Sequence, residues 1–205
     1  MAKSRMKIQE PIVRNGLDAA KDQVEKFHEA FGHTINVTPT AIPVEVAFNR
    51  TKWTAEELVE FLYATANNDK KLFSQLTRQL AESIFVAERK ILDSGRVIED
   101  VLVDQVDALA DTNYFTQGTY VIAGVDPQPL FDIVQDANMA KLWPDGKPRY
   151  YEDGKIKKPD DWVGPEPKLK AEIERQRGNQ IVEEPVVEEP VTEPEESPEV
   201  EPLEE

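Results

Sequence analysis

An all-α protein, built as an antiparallel helical bundle of four long helices with a short fifth helix and a disordered acidic C-terminal tail, is predicted by three observations. Apolar residues recur at three- and four-residue spacing over four long stretches. Short clusters of Gly, Pro, Asn or Ser separate those stretches, leaving links that favour antiparallel neighbours. The last segment, 181–205, contains eleven glutamates and five prolines but no lysine, arginine or aromatic residue, a composition that cannot bury a core.

The first helix is expected from about Asn15 to Phe31, where Leu17, Ala20, Val24, Phe27 and Phe31 share a face and Gly32 supplies a stop. Thr34–Pro43, with β-branched residues and two prolines, reads as a connector. A second helix is expected over Val44–Thr65, ending near Asn67-Asn68. A third covers Lys70–Leu92, with Leu72, Leu76, Leu80, Ile84, Ala87 and Ile91 on one face and Ser94-Gly95 closing it. A fourth is expected from Val97 to Ala123, ended by Gly124, and a short fifth from Pro127 to about Met139. The stretch Trp143–Pro167 mixes Pro, Gly, Asp, Lys and aromatics and reads as an ordered loop or small hairpin; Lys168–Arg177 reads as a short polar helix. The organisation is then an N-terminal extension at 1–14, a helical bundle at 15–142, a loop and polar helix at 143–180, and the tail.

The net charge of −16 is unevenly spread: removing the eleven negative charges of the tail leaves −5 for residues 1–180. The body carries no basic stripe, so a nucleic-acid groove binder is not expected. With no cysteine, disulfides and zinc-thiolate sites are excluded, and two histidines, His28 and His33, make a histidine-rich metal site an unlikely design. Both flank the end of the first helix and read as capping or surface residues. Residues 1–16 hold no continuous apolar run, and no stretch reaches the length of a membrane span, so a cytoplasmic protein is expected.

Two acidic clusters stand out. At about 100° per residue, Asp104, Asp107 and Asp111 form a stripe about 60° wide, flanked by Val103, Val106, Ala110 and Tyr114 on one side and Val101, Ala108 and Phe115 on the other. On the second helix Glu57 and Glu60 share an arc with Arg50, Trp53, Phe61 and Ala64. Carboxylates set in an apolar arc need a counter-charge. Oxygen-only ligands from two helices favour Mg²⁺, with Mn²⁺ as the substitute, over zinc. The competing structural reading makes Thr54-x-x-Glu57 a capping box that starts a helix at Ala55. Asp104, outermost on its stripe, reads as a surface residue, and Gly118 leaves room for either a ligand or a close helix.

The run Glu56-Glu-x-x-Glu60, followed by Asp107-Ala-Leu-Ala-Asp111-Thr-Asn-Tyr and then Gly118-Thr, resembles the all-α nucleoside triphosphate pyrophosphohydrolases, which include MazG-like and phosphoribosyl-ATP pyrophosphohydrolase-like proteins. The segment Asn138-Met-Ala-Lys141, with Asp145-Gly-Lys147-Pro and Glu152-Asp-Gly-Lys155 after it, is similar to the downstream part of stand-alone phage and bacterial members; the likeness covers roughly residues 25–165. The resemblance implies Mg²⁺-dependent cleavage of a nucleotide between its α and β phosphates, giving a monophosphate and pyrophosphate. It implies metal binding by Glu57, Glu60, Asp107 and Asp111, and catalytic duty for Glu56, Glu57 and Glu60, with Glu56 or a spare carboxylate as the base. It implies substrate binding by Asn138 and Lys141, with Lys147 and Lys155 as further phosphate partners and Arg50 as the cation on the acidic arc. Trp143, Tyr150 or Tyr151 are available to stack on a base. A homo-oligomer, dimer or higher, is implied as well. The chain departs from the family's Glu-x-x-Asp second motif: Ala108 stands three before Asp111, and the nearest acid is Asp107. It also has a longer third helix than many members. The alternative is a non-catalytic bundle that binds a metal or nucleotide, or an interaction module.

Overall fold

The computed structural model describes residues 16–179 and is helical throughout, with six α-helices among the described residues. The N-terminal extension and the acidic tail lie outside the described residues. Helix α1 spans Leu17–Phe31 and stops at Gly32, whose φ of 69° lets its N–H turn back to the His28 carbonyl. The connector follows, and Pro43 leads into α2, Val44–Thr65. That helix ends at a buried Ala66 and two asparagines, Asn67 and Asn68, at φ 44° and 70°.

Asp69 then caps α3, Lys70–Asp93, its carboxylate accepting from the backbone N–H groups of Lys71 and Leu72. Helix α4 covers Val101–Ala123, starting four residues later than the apolar pattern of Val97 and Ile98 suggests. The reason is local: Asp100 adopts an extended backbone and its side chain takes the N–H groups of Leu102 and Val103. Helix α5, Pro127–Met139, begins with proline in its first turn, and α6 spans Glu166–Asn179. Between them the chain makes two tight turns joined by one antiparallel bridge, Tyr150 to Ile156, so the expected small hairpin is present.

Packing divides the helices. α1 and α6 both pack on α5. Gln23 of α1 donates to Asp132 at 2.7 Å, Gln135 of α5 donates to the Gln23 carbonyl at 2.7 Å, and Phe31 and Leu130 are buried between them. Gln176 of α6, 7% exposed, reaches the start of α5, accepting from the Asp126 N–H and donating to the Asp126 carbonyl. The hairpin loop is stitched onto this cap by Tyr150, whose hydroxyl donates to the Phe31 carbonyl, and by Trp162, whose indole N–H donates to the Ala137 carbonyl.

The long helices behave differently. α2 packs on α3 as an antiparallel pair, with Tyr63 edge-on to Phe73 at 5.1 Å. Yet α2, α3 and α4 contain no buried residue, and Phe48, Phe61, Phe85, Ile91, Tyr114, Phe115 and Ile122 are all exposed. α4 is tied to the rest by Gln105, which accepts from the Ile42 N–H at 2.8 Å and donates to the Ile42 carbonyl at 2.9 Å. No helix among the described residues is long and apolar enough to cross a membrane.

Candidate active site

The site is built on one stripe of α2. Val46, Arg50, Trp53, Glu57 and Glu60 follow at intervals of four, three, four and three residues, so they lie along a single face. The helix runs unbroken through this region, and the Thr54 hydroxyl donates to the Arg50 carbonyl one turn back rather than capping a new helix. The capping-box reading of Thr54 and Glu57 is therefore excluded, and Glu57 is left available for chemistry. Glu56 sits about 100° round the helix, 3.9 Å from Lys52, both side chains well exposed.

On α4, Asp107 and Asp111 are one turn apart and exposed. Asp104 does not share their freedom, because it is ion-paired with Arg96. Gly118 has open space around the position of a Cβ, so among the described residues no neighbouring helix packs against it. Among the described residues, no three of the histidines, aspartates and glutamates converge on a common point. The chain thus presents two carboxylate pairs on separate helices, neither enclosed by the chain that carries it. Their donor chemistry fits a hard divalent cation, which accepts one or two carboxylates and fills its shell with water and phosphate oxygens. In this arrangement Glu57 and Glu60, or Asp107 and Asp111, would hold it.

The cationic side of the site comes from the end of α5 and the loop after it. Lys141 is half-buried; its ammonium donates to Asn138 Oδ1 at 2.7 Å and lies 5.9 Å from the Trp162 ring centroid. Burial pulls its pKa below the usual 10.5, nearby Lys158 lowers it further, and Glu57 pushes it back up. Lys158 sits over the opposite part of the cluster, 3.8 Å from the Trp162 centroid. Two lysines, one tryptophan and an oriented amide make a patch suited to phosphate oxygens.

Lys147 and Lys155 lie in the hairpin loop. Each follows a tight turn in which its own backbone N–H donates to the side chain of Asp145 or Asp153, and both are exposed. Lys158, which no motif singled out, is the lysine that joins Lys141. Of the aromatics expected to stack on a base, Trp143 has the Arg149 guanidinium 3.9 Å from its ring centroid and donates its indole N–H to the Lys157 carbonyl. Tyr150 is bonded to Phe31, and Tyr151 lies 5.9 Å from the Lys157 ammonium. These rings hold the loop together.

At the other end of the α2 stripe, Arg50 donates to His28 Nε2 at 2.7 Å and lies 5.5 Å from the Trp53 centroid. Because Nε2 accepts, His28 carries its proton on Nδ1, from which it donates to the Thr34 carbonyl at 3.0 Å. The His33 ring stacks near Phe27 at 5.7 Å; burial first, then His28 and Arg50, hold its pKa below 6.5. His28 thus ties Arg50 to the connector, while His33 packs on Phe27.

The chain resembles known proteins in sequence and in fold. The family model described as phosphoribosyl-ATP pyrophosphohydrolase matches residues 24–138, which include both carboxylate pairs and Asn138. The chain is similar to a candidate NTP pyrophosphohydrolase from Exiguobacterium sp. 255-15 known from its crystal structure, with 42% identity and a TM-score of 0.73 over 78% of this chain and 97% of that one. A search of curated proteins gave no match.

Proposed function

The chain belongs to the phosphoribosyl-ATP pyrophosphohydrolase family and is a pyrophosphohydrolase, and from that premise we propose that it cleaves a nucleoside triphosphate, ribo or deoxy, to the monophosphate and pyrophosphate with the help of Mg²⁺ or Mn²⁺. The observations that support this reading are the Glu57 and Glu60 carboxylates on one face of α2 and the half-buried Lys141 ammonium held by Asn138. The cation, when bound, supplies charge neutralisation and activates the attacking water. The chain's own groups do the rest. Asn138 holds the Lys141 ammonium toward the phosphates, and with Lys158 it offsets the charge that builds on the departing pyrophosphate. A carboxylate left free of the metal, Glu56 or another of the set, takes the proton from the attacking water. The role is upkeep of the cytoplasmic nucleotide pool.

The working form in this proposal is a homo-oligomer, a dimer at least. Each apolar side chain taken from water contributes about 1.5–3 kcal/mol, and α2, α3 and α4 leave more than a dozen large ones uncovered. A second copy is the natural cover, since a twofold interface matches like surfaces and completes a bundle. If one copy's α4 lies on the other's α2–α3 pair, Asp107 and Asp111 approach Glu57 and Glu60, and acids exposed in one chain become the enclosed cluster that a cation needs. The test is pyrophosphate release by purified protein from a panel of ribo- and deoxynucleoside triphosphates with Mg²⁺ or Mn²⁺. Release of pyrophosphate and monophosphate in equal amounts is expected; release from none of them overturns the reading.

A further inference from the structure

The connector and the first half of α2 enclose a cavity of about 510 Å³, separate from the carboxylates but opening on the same stripe. Its size lies within the usual range for small-molecule sites. Trp53, Ile42 and Val46 supply flat and apolar wall; Asn36, Asn49 and Thr40 supply neutral groups able both to donate and to accept. His33 also lines it, and His33 Nε2 is buried without a partner among the described residues. A buried ring nitrogen left without a bond is an exception among polar groups and marks a place where a ligand atom is expected.

We propose that this cavity is the nucleobase subsite, taking a planar nitrogen heterocycle against Trp53 and reading its edge with Asn49, Asn36 and His33. The inference rests on the nucleotide reading of the neighbouring carboxylates. Three observations carry it. First, Trp53 is set apart from the other two tryptophans: both of those have a cation within 4 Å of the ring centroid and a bonded indole N–H, whereas Trp53 borders the cavity, with Arg50 further off at 5.5 Å. Second, Glu57 and Glu60 lie one and two turns further along the same face, roughly 6 and 10 Å along the axis, so a base beside Trp53 directs its 5′ phosphates to the acids and Lys141. Third, apart from Arg50 the polar lining is made of amide, hydroxyl and imidazole groups, which suits a base edge rather than a phosphate. The wall is also held in place: the paired hydrogen bonds from Gln105 fix Ile42 to α4, the helix that carries Asp107 and Asp111.

The experiment is calorimetric binding to the full chain, with Mg²⁺, of four non-hydrolysable α,β-methylene nucleoside triphosphates differing in base, and of inorganic tripolyphosphate. Trp53→Leu should weaken the tightest nucleotide analogue by about ten-fold or more, a typical loss for one stacked base, and leave tripolyphosphate unchanged. Glu60→Gln should weaken both. Equal loss of both ligands in Trp53→Leu, or loss of neither, overturns the base subsite while Glu60→Gln still reports on the phosphate site. If wild-type protein binds neither the analogues nor tripolyphosphate, the nucleotide reading itself fails and takes the subsite with it. Should Trp53→Leu prove unfolded by circular dichroism, Asn49→Asp decides: a changed order of preference among the four bases supports the subsite, and an unchanged order with unchanged affinities refutes it.

Discussion

The cap formed by α1, α5, α6 and the hairpin loop differs sharply from the three long helices that it adjoins. In the cap, polar groups find partners in the same chain: Gln176 satisfies both backbone groups of Asp126, Gln23 and Gln135 bridge α1 and α5, and two indoles are anchored on carbonyls. In α2, α3 and α4 large apolar side chains face outward, and so do the four carboxylates of the proposed site. One region is largely closed by its own sequence. The other leaves its apolar faces open, and the proposed catalytic acids lie on it.

This contrast can be broken by substitution. The largest effect is expected for Glu60→Ala, which should cut turnover on the order of a thousand-fold while circular dichroism stays unchanged, because an exposed helical acid contributes little to the fold. Next is Phe115→Asp on α4: a charge placed in the proposed contact between copies should weaken self-association about a hundred-fold, read by sedimentation, with activity lost in parallel. Monomers that retain full turnover would show that the long helices work alone.

Lys141→Ala follows, with an expected fall in kcat/KM of about ten- to a hundred-fold. The pH dependence sharpens this. Burial lowers the Lys141 pKa from 10.5, so its charge is lost earlier in an alkaline titration than that of an ordinary lysine, and activity should decline correspondingly early. Lys141→Arg, charged throughout, should move that alkaline limb upward.

Changes confined to the cap should have smaller consequences. Gln176→Ala strands two backbone groups and should cost about 1–3 kcal/mol of stability, seen as a lower melting temperature with kcat unaltered. His33 gives the smallest effect. Its folded pKa lies below 6.5, so the neutral form is preferred on folding; that contribution is complete above pH 6.5 and is lost as pH falls through the lowered value. Melting temperature against pH should show a shallow decline there, and His33→Asn should flatten it.

The helices were largely legible because their faces repeat and their ends are marked. Gly32, the Asn67-Asn68 pair and Gly124 stop helices where the sequence places them, each through a left-handed backbone. The start of α4 was misread by four residues, since apolar Val97 and Ile98 continue the pattern and the Asp100 cap outweighs it. At the site, periodicity correctly put Arg50, Trp53, Glu57 and Glu60 on one face. It could say that an apolar arc surrounds the acids but not whether the same chain covers it, because a helix face looks alike whether its partner is its own chain or another copy. Lys158 escaped notice for a different reason: the 143–162 loop has no period, and only its folded path brings Lys158 and Lys141 to the same Trp162 ring. Arg50 was singled out, but its link to His28 depends on the connector folding back over α1.

The central claim, that acids of α2 and α4 meet across two copies, is tested most directly by mixing two inactive proteins. Glu60→Gln and Asp111→Asn should each be inactive alone. Unfolded and refolded together in equal amounts, they should recover about a quarter of wild-type activity, since half the dimers are mixed and each mixed dimer holds one intact site of two. A mixture as inactive as its components would contradict the account and place both acids of each site in a single chain.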